Sequence, residues 1–188
     1  MRILGIDDGP FRKEWVSTLL AGVLHDNYKP LRAVFAPVKV DGDDATEAAV
    51  SLARKTNPEL IVVDSVTCCG FNYIDGERVY NETGIPVIHV YLYPLDLASI
   101  RSALEKAGLP LDRLYVIRKH WLAASRVECR LGGFWYNSWG STPIDPCTLQ
   151  RYSRIPLHLQ NAHRVARAAV EAWKRYHPEK CLAGGARA

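Results

Sequence analysis

With 188 residues, 48% of them hydrophobic and 23% charged, the chain has the balance of a folded domain and the length to bury a core without staples. No apolar run approaches the roughly 20 residues that a bilayer span needs. Met1-Arg2-Ile3 leads straight into an apolar run with no signal-peptide pattern, so the expectation is a cytoplasmic protein with no membrane partner.

Charge is spread unevenly. From Arg151 onward eight basic residues stand against two acidic ones, while the first 150 residues carry 16 basic and 18 acidic. An acidic site beside a basic flank suits a divalent cation and a phosphate-bearing partner. A solvated helix face would explain the basic run equally well.

In chain order, Ile3 to Ile6 predicts a buried strand that stops at Asp7-Asp8 and turns at Gly9-Pro10. Alternation lets only one of the two carboxylates point inward. Trp15–Leu24 and Leu31–Val40 predict two further strands in an antiparallel meander, and the internal Pro37 places the third at an edge or bulge. Asp41-Gly-Asp-Asp-Ala-Thr-Glu47 opens a helix to Thr56, with Asp44 or Thr46 as its cap. Capping accounts for one or two of those acids, not all four.

Leu60-Ile-Val-Val-Asp64 reads as a short strand buried on both faces and again ending in an acid. Residues 70–82 and the strand Pro86–Tyr91 complete a parallel β-α-β unit. A helix follows over Asp96–Ala107, capped by Asp96, then a strand over Leu114–Ile117. Residues 118–154 are rich in arginine and aromatics. Phe134–Trp139 beside Arg126, Arg130 and Arg151 suits base stacking, an oligomer interface or ordinary packing. Leu157–Tyr176 is an amphipathic helix with an apolar stripe of Leu159, Ala162, Ala166, Ala169 and Trp173, and His163 at its margin. The five cysteines show no metal-ligand spacing, and neither a disulfide nor a structural metal is expected of them.

Three antiparallel strands followed by parallel β-α units, with acids at strand ends, is the arrangement of the ribonuclease H-like fold. The expected organisation is one such α/β domain over residues 1–180, with helices flanking a mixed sheet and a disordered tail at 181–188. Asp7 or Asp8, Asp43 or Asp44, and Asp64 then form a set of three carboxylates. Three carboxylates packed without a cation would repel one another, and hard oxygen ligands suit magnesium or manganese. Turn chemistry at strand ends is the alternative reading of the same acids.

The segments GIDDGPF (5–11), VDGDDAT (40–46), VVDSVTCCGFNYID (62–75), TGIPVIHV (83–90) and IPLHLQNAHRVA (155–166) resemble an archaeal family of unknown function, number ninety-nine of its kind, related to endonuclease V. The resemblance covers most of the chain. GFN-x-x-D is its most specific motif, and residues 12–39 and 118–150 match loosely. It implies a ribonuclease H-like fold and a magnesium- or manganese-dependent endonuclease acting on DNA or RNA. Asp7 takes the metal-bridging position and Val63-Asp64-Ser65 matches the fourth-strand motif. The third-strand glutamate is not matched; Asp43 and Asp44 are the nearest acids, each a methylene shorter. His163 corresponds to the histidine of the last helix, and no counterpart of the strand-separating wedge is found.

The catalytic set read this way is Asp7, Asp44, Asp64 and His163. The metal ligands are Asp7, Asp8, Asp44 and Asp64, and Phe71, Asn72, Asp75 and Arg164 face substrate. Two rivals stand beside the nuclease: a nucleic-acid-binding module that kept the fold and lost a ligand, and a metal-dependent hydrolase of a small phosphorylated molecule. A homodimer is compatible with either.

Overall fold

The structure, a computed structural model, describes residues 1–181. Residues 182–188, nearly all of the expected tail, lie outside that range. Strands β1 (Arg2–Asp8), β2 (Ser17–Asp26) and β3 (Lys29–Lys39) form the antiparallel meander, followed by helix α1 (Ala45–Thr56) and strand β4 (Leu60–Asp64). A small hairpin, β5 (Thr67–Cys68) with β6 (Asn72–Tyr73), precedes α2 (Gly76–Thr83) and β7 (Val87–Tyr91). Helices α3 (Leu97–Lys106) and α4 (Asp112–Leu122), strands β8 (Ser125–Val127) and β9 (Phe134–Trp139), a 3-10 turn at Pro146–Leu149, then α5 (Leu157–Tyr176) and α6 (Pro178–Cys181) complete the order.

Seven strands make one mixed sheet in the order β3-β2-β1-β4-β7-β9-β8. β1, β4 and β7 run parallel in the middle, and the pairs on both sides are antiparallel. β3 is an edge strand, which is where a strand tolerates Pro37.

The period-2 alternation of β1 and β4 sorts their side chains into two cores. Leu4, Ile6, Ile61 and Val63 pack toward α1 and α2 with Leu52, Ala49 and Val79. Ile3, Leu60 and Val62 pack on the opposite face with Leu159 of α5, Phe134 and Leu149. Burying each of these larger aliphatic side chains is worth about 2 kcal/mol.

Helix α5 sits unusually close to β1 because the strand offers it glycine. A Cβ on Gly5 would stand 2.3 Å from the His158 carbonyl oxygen, and one on Gly9 would stand 2.3 Å from Val170 Cγ2. Gly5, Asp7 and Gly9 share one face by alternation, so the helix is drawn down on both sides of Asp7.

Two expectations are corrected here. Leu114–Ile117 lies inside α4, not in a strand: Arg113, Ile117 and His120 are the buried residues of that helix, and their spacing of four and three marks one helical face. The β-formers of Leu-Tyr-Val-Ile simply occupy that helix, with Tyr115 73% exposed. Cys129 and Cys147 form a disulfide, Cα atoms 5.4 Å apart, because the segment after β8 and the 3-10 turn meet in space; a separation of 18 residues carries no local signal of that.

Candidate active site

Parallel pairing of β1 with β4 sets Ile6 opposite Val63, so the next residues, Asp7 and Asp64, end neighbouring strands in step. Asp7 follows Ile3 and Gly5 on the α5 face, and Asp64 follows Leu60 and Val62 on the same face. Both carboxylates line a cavity of about 370 Å³ with Leu92, Ser153, Ile155, Leu159, Gln160, His163 and Arg164. The seat of α5 on Gly5 and Gly9 brings His163 Nδ1 to 3.0 Å from Asp7 Oδ2. Asp7 is 8% exposed and the His163 side chain 61%, so this pair joins a buried carboxylate to an accessible imidazole.

Asp8 points to the other face. Its carboxylate accepts a hydrogen bond from the Cys69 N–H, in the turn of the β5–β6 hairpin. The backbone here is strained: Cys69 in that turn has φ of 50°, Ser65 just before β5 has 59°, and Asp41, whose N–H donates to the Cys69 carbonyl, has 54°. Non-glycine residues in that region cost about 1–3 kcal/mol each and gather where a site over-determines the backbone.

Electrostatics follow from the crowding. Burial pushes the Asp7 carboxyl up to about 9, and the charges of Asp64 and Asp8 add to it. Burial raises Asp64 to about 6, with Asp8 pushing the same way and His163 pulling back. Asp8 is raised by burial, against the opposing Cys69 N–H bond. Burial thus raises all three carboxyls, and a nearby cation would counter that shift. Among the described residues no three Asp, Glu, His or Cys side chains converge on one point. A hard cation that keeps its waters needs only one or two carboxylates, and Asp7 and Asp64 are the two that would hold one here.

A family model described as endonuclease dU matches residues 1–170. The chain belongs to that family. A UPF0215 protein of Pyrococcus furiosus is 35% identical over 182 residues, 90% of this chain and 92% of its own. A protein of unknown function from Archaeoglobus fulgidus superposes with a TM-score of 0.75 at 25% identity, covering 90% of this chain and 98% of that one. Human ENDOV superposes at 0.56 with 14% identity over 91% of this chain and 84% of its own. Ciona intestinalis endonuclease V, solved with DNA containing an inosine, gives 0.50 at 10% identity over 95% and 86%. At those identities the two endonuclease V likenesses are likenesses of fold.

In this endonuclease dU family member the remaining sequence-predicted site residues divide. Arg164 lies on the cavity beside His163. Asp44 does not line it: its carboxylate accepts from Lys39 N at 3.1 Å and Asn72 Nδ2 at 2.7 Å, closing the turn that enters α1. Asp43 is exposed. Asn72 is fully buried and uses all of its amide, accepting from Ala45 N and Tyr73 N and donating to the Lys39 carbonyl and Asp44. It has nothing left to offer a substrate. Asp75 caps α2 through Glu77 N and Arg78 N and accepts from His120 Nε2 at 3.0 Å. The segment Gly70-Phe71-Asn72-x-x-Asp75 is therefore a brace that locks the β5–β6 hairpin to both helices.

Phe71 faces a separate cavity of about 400 Å³ with Phe11, Lys13, Asp41 and Lys106. Sequence reasoning missed Gln160 and Ser153. Gln160 Nε2 donates to Ser153 Oγ at 2.7 Å and to the Ile155 carbonyl at 2.8 Å, fixing the cavity wall. The signal was available, since Gln160 lies one turn after Pro156 on the face that carries His163.

Proposed function

We propose that this protein hydrolyses phosphodiester bonds in nucleic acid with a magnesium or manganese ion held by Asp7 and Asp64. The observation that carries the reading is the in-step pair of carboxylates on β1 and β4, both raised chiefly by desolvation, facing one cavity with His163. When bound, the ion supplies Lewis-acid polarisation of a phosphoryl oxygen and an acidified water. Once Asp7 is ionised it accepts the Nδ1 proton of His163, which fixes the tautomer and leaves Nε2 a free acceptor able to take a proton. Arg164 supplies a fixed positive charge at the cavity for a phosphate. Ser153, Ile155 and Leu159 shape the wall.

The family description, endonuclease dU, and the inosine in the Ciona intestinalis complex both name nucleotides whose bases arise by deamination. Deaminated sites are accordingly the first substrates to present. The test is incubation of wild type, Asp7→Asn and Asp64→Asn with oligonucleotides carrying a single dU or inosine, with magnesium, manganese or chelator. Cleavage that needs metal and is lost in both variants supports the reading. Metal-dependent cleavage that survives Asp7→Asn overturns it.

One observation favours a second reading. Asp44 is committed to Lys39 and Asn72, so no third acid joins Asp7 and Asp64 among the described side chains of the cavity. A chain that binds nucleic acid without cutting it would retain salt-dependent, metal-indifferent affinity.

A further inference from the structure

Two exposed tyrosines stand next in sequence to residues of the cavity that holds Asp7 and Asp64, and each ring lies beside an arginine. Tyr93, 72% exposed, follows Leu92. It lines a second cavity of about 250 Å³ that has Asp64 and Leu92 in common with the first. Its ring centroid is 5.3 Å from the Arg154 guanidinium carbon. Arg154 is itself immobilised: Nε donates to the Gly133 carbonyl at 2.6 Å and its guanidinium donates to the Leu92 carbonyl. Tyr152, 76% exposed, precedes the cavity residue Ser153. Arg151 stands 5.7 Å from the Tyr152 ring and 5.1 Å from that of Tyr28, whose hydroxyl donates to the Thr148 carbonyl.

Single exposed tyrosines are commonplace, and Tyr115 and Tyr176 are as exposed, at 73% and 75%. No Lys or Arg is found over either of their rings among the described contacts. The two at the cavity differ in three ways at once. They carry a guanidinium beside the ring, leave most of the ring open to solvent, and stand next in sequence to residues of the carboxylate cavity. Arg164 on the cavity and Arg151 and Arg154 beside the two rings add positive charge that complements a polyanion.

A free aromatic face is of use to a base only when that base has left its own stack, because a duplex base is already covered on both sides. We infer that Tyr93, beside Asp64, and Tyr152, next to Ser153, are stacking platforms for unpaired nucleotides, so that the protein engages single-stranded DNA or RNA in preference to duplex. This deepens the proposed nuclease reading and rests on it for the position of the cleaved bond, while the binding itself does not require cleavage.

The experiment is fluorescence anisotropy of full-length protein in chelator, with a single strand of about 15 nucleotides, in DNA and RNA forms, and a blunt duplex of the same sequence. Base stacking is worth about 1–3 kcal/mol by alanine substitution, so Tyr93→Ala and Tyr152→Ala should each weaken single-strand binding by roughly 5- to 150-fold. Tyr93→Phe and Tyr152→Phe should retain it, Tyr115→Ala should change nothing, and duplex affinity should move less than about twofold. Wild-type single-strand affinity in both tyrosine-to-alanine variants, or equal loss for duplex and single strand, would overturn the inference. Asp64→Asn separates the two readings. Stacking effects that persist in it, with no cleavage by wild type, leave this inference standing and sink the nuclease. Metal-dependent cleavage without any tyrosine effect does the reverse.

Discussion

Asp64→Asn should make the protein more stable at neutral pH even as it removes a carboxylate from the cavity. In the fold Asp64 keeps its proton up to about 6, against 3.8 for the same group in an unfolded chain, with burial the main cause and Asp8 second. Each tenfold in proton affinity is about 1.4 kcal/mol, so the gap amounts to about 3 kcal/mol. The sign runs against folding as pH rises. Below about 4 both states hold the proton and Asp64 exacts nothing; as pH climbs through 6 the folded state must surrender a proton the unfolded state has already lost. Asparagine has no proton to lose. Urea unfolding followed by tryptophan fluorescence in chelator should show the variant ahead by about 3 kcal/mol near pH 7.5 and level with wild type near pH 4. Adding manganese should recover much of that deficit in wild type and none in the variant. A variant that is less stable at pH 7.5, or ahead by the same margin at pH 4, would refute the argument that Asp64 is held in an environment hostile to its charge.

Gly5→Ala should place a methyl group against the His158 carbonyl and lift α5 from β1, costing at least the roughly 1–3 kcal/mol of overpacking. Cleavage should fall further than Tm implies, because His163 leaves Asp7 with the helix. Asp75 works in the opposite sense to Asp64: burial raises its carboxyl, but the His120 hydrogen bond and charge and the α2 N–H groups outweigh that and hold it at about 2. Asp75 therefore contributes about 2 kcal/mol that is present above pH 4 and lost as pH falls through 2; acid unfolding of Asp75→Asn should lack that component, and an unchanged acid limb would count against it. Reduction of Cys129–Cys147, or Cys129→Ser, releases a closed loop of about 18 residues and should lower stability by about 3 kcal/mol; guanidinium midpoints with and without dithiothreitol measure it.

What the sequence made legible was what is local. An apolar strand ending in an acid is visible at Ile6-Asp7 and Val63-Asp64, and the stripe of α5 is visible at a spacing of three and four. The fold class follows from the order of such segments. Whether an acid faces a cavity or closes a turn is decided by partners far along the chain. Asp44 is closed off by Asn72, 28 residues away, and Asp75 is engaged by His120, 45 residues away. No pattern within either segment announces those meetings. The same holds for Cys129 with Cys147, and for α4, where the burial of Arg113, Ile117 and His120 outweighs the strand propensity of the residues between them.

The glycine seat of α5 also sets a schedule. Both carboxylates of the cavity lie within the first 64 residues, but the imidazole that bonds Asp7 comes 156 residues after it. During synthesis at about 5–20 residues per second, β1, β4 and their acids leave the ribosome several seconds before the helix that covers them. Over that interval a nascent chain has a bare acidic strand end without His163, Arg164, Arg151 or Arg154. The cavity gains its imidazole and Arg164 only when α5 docks.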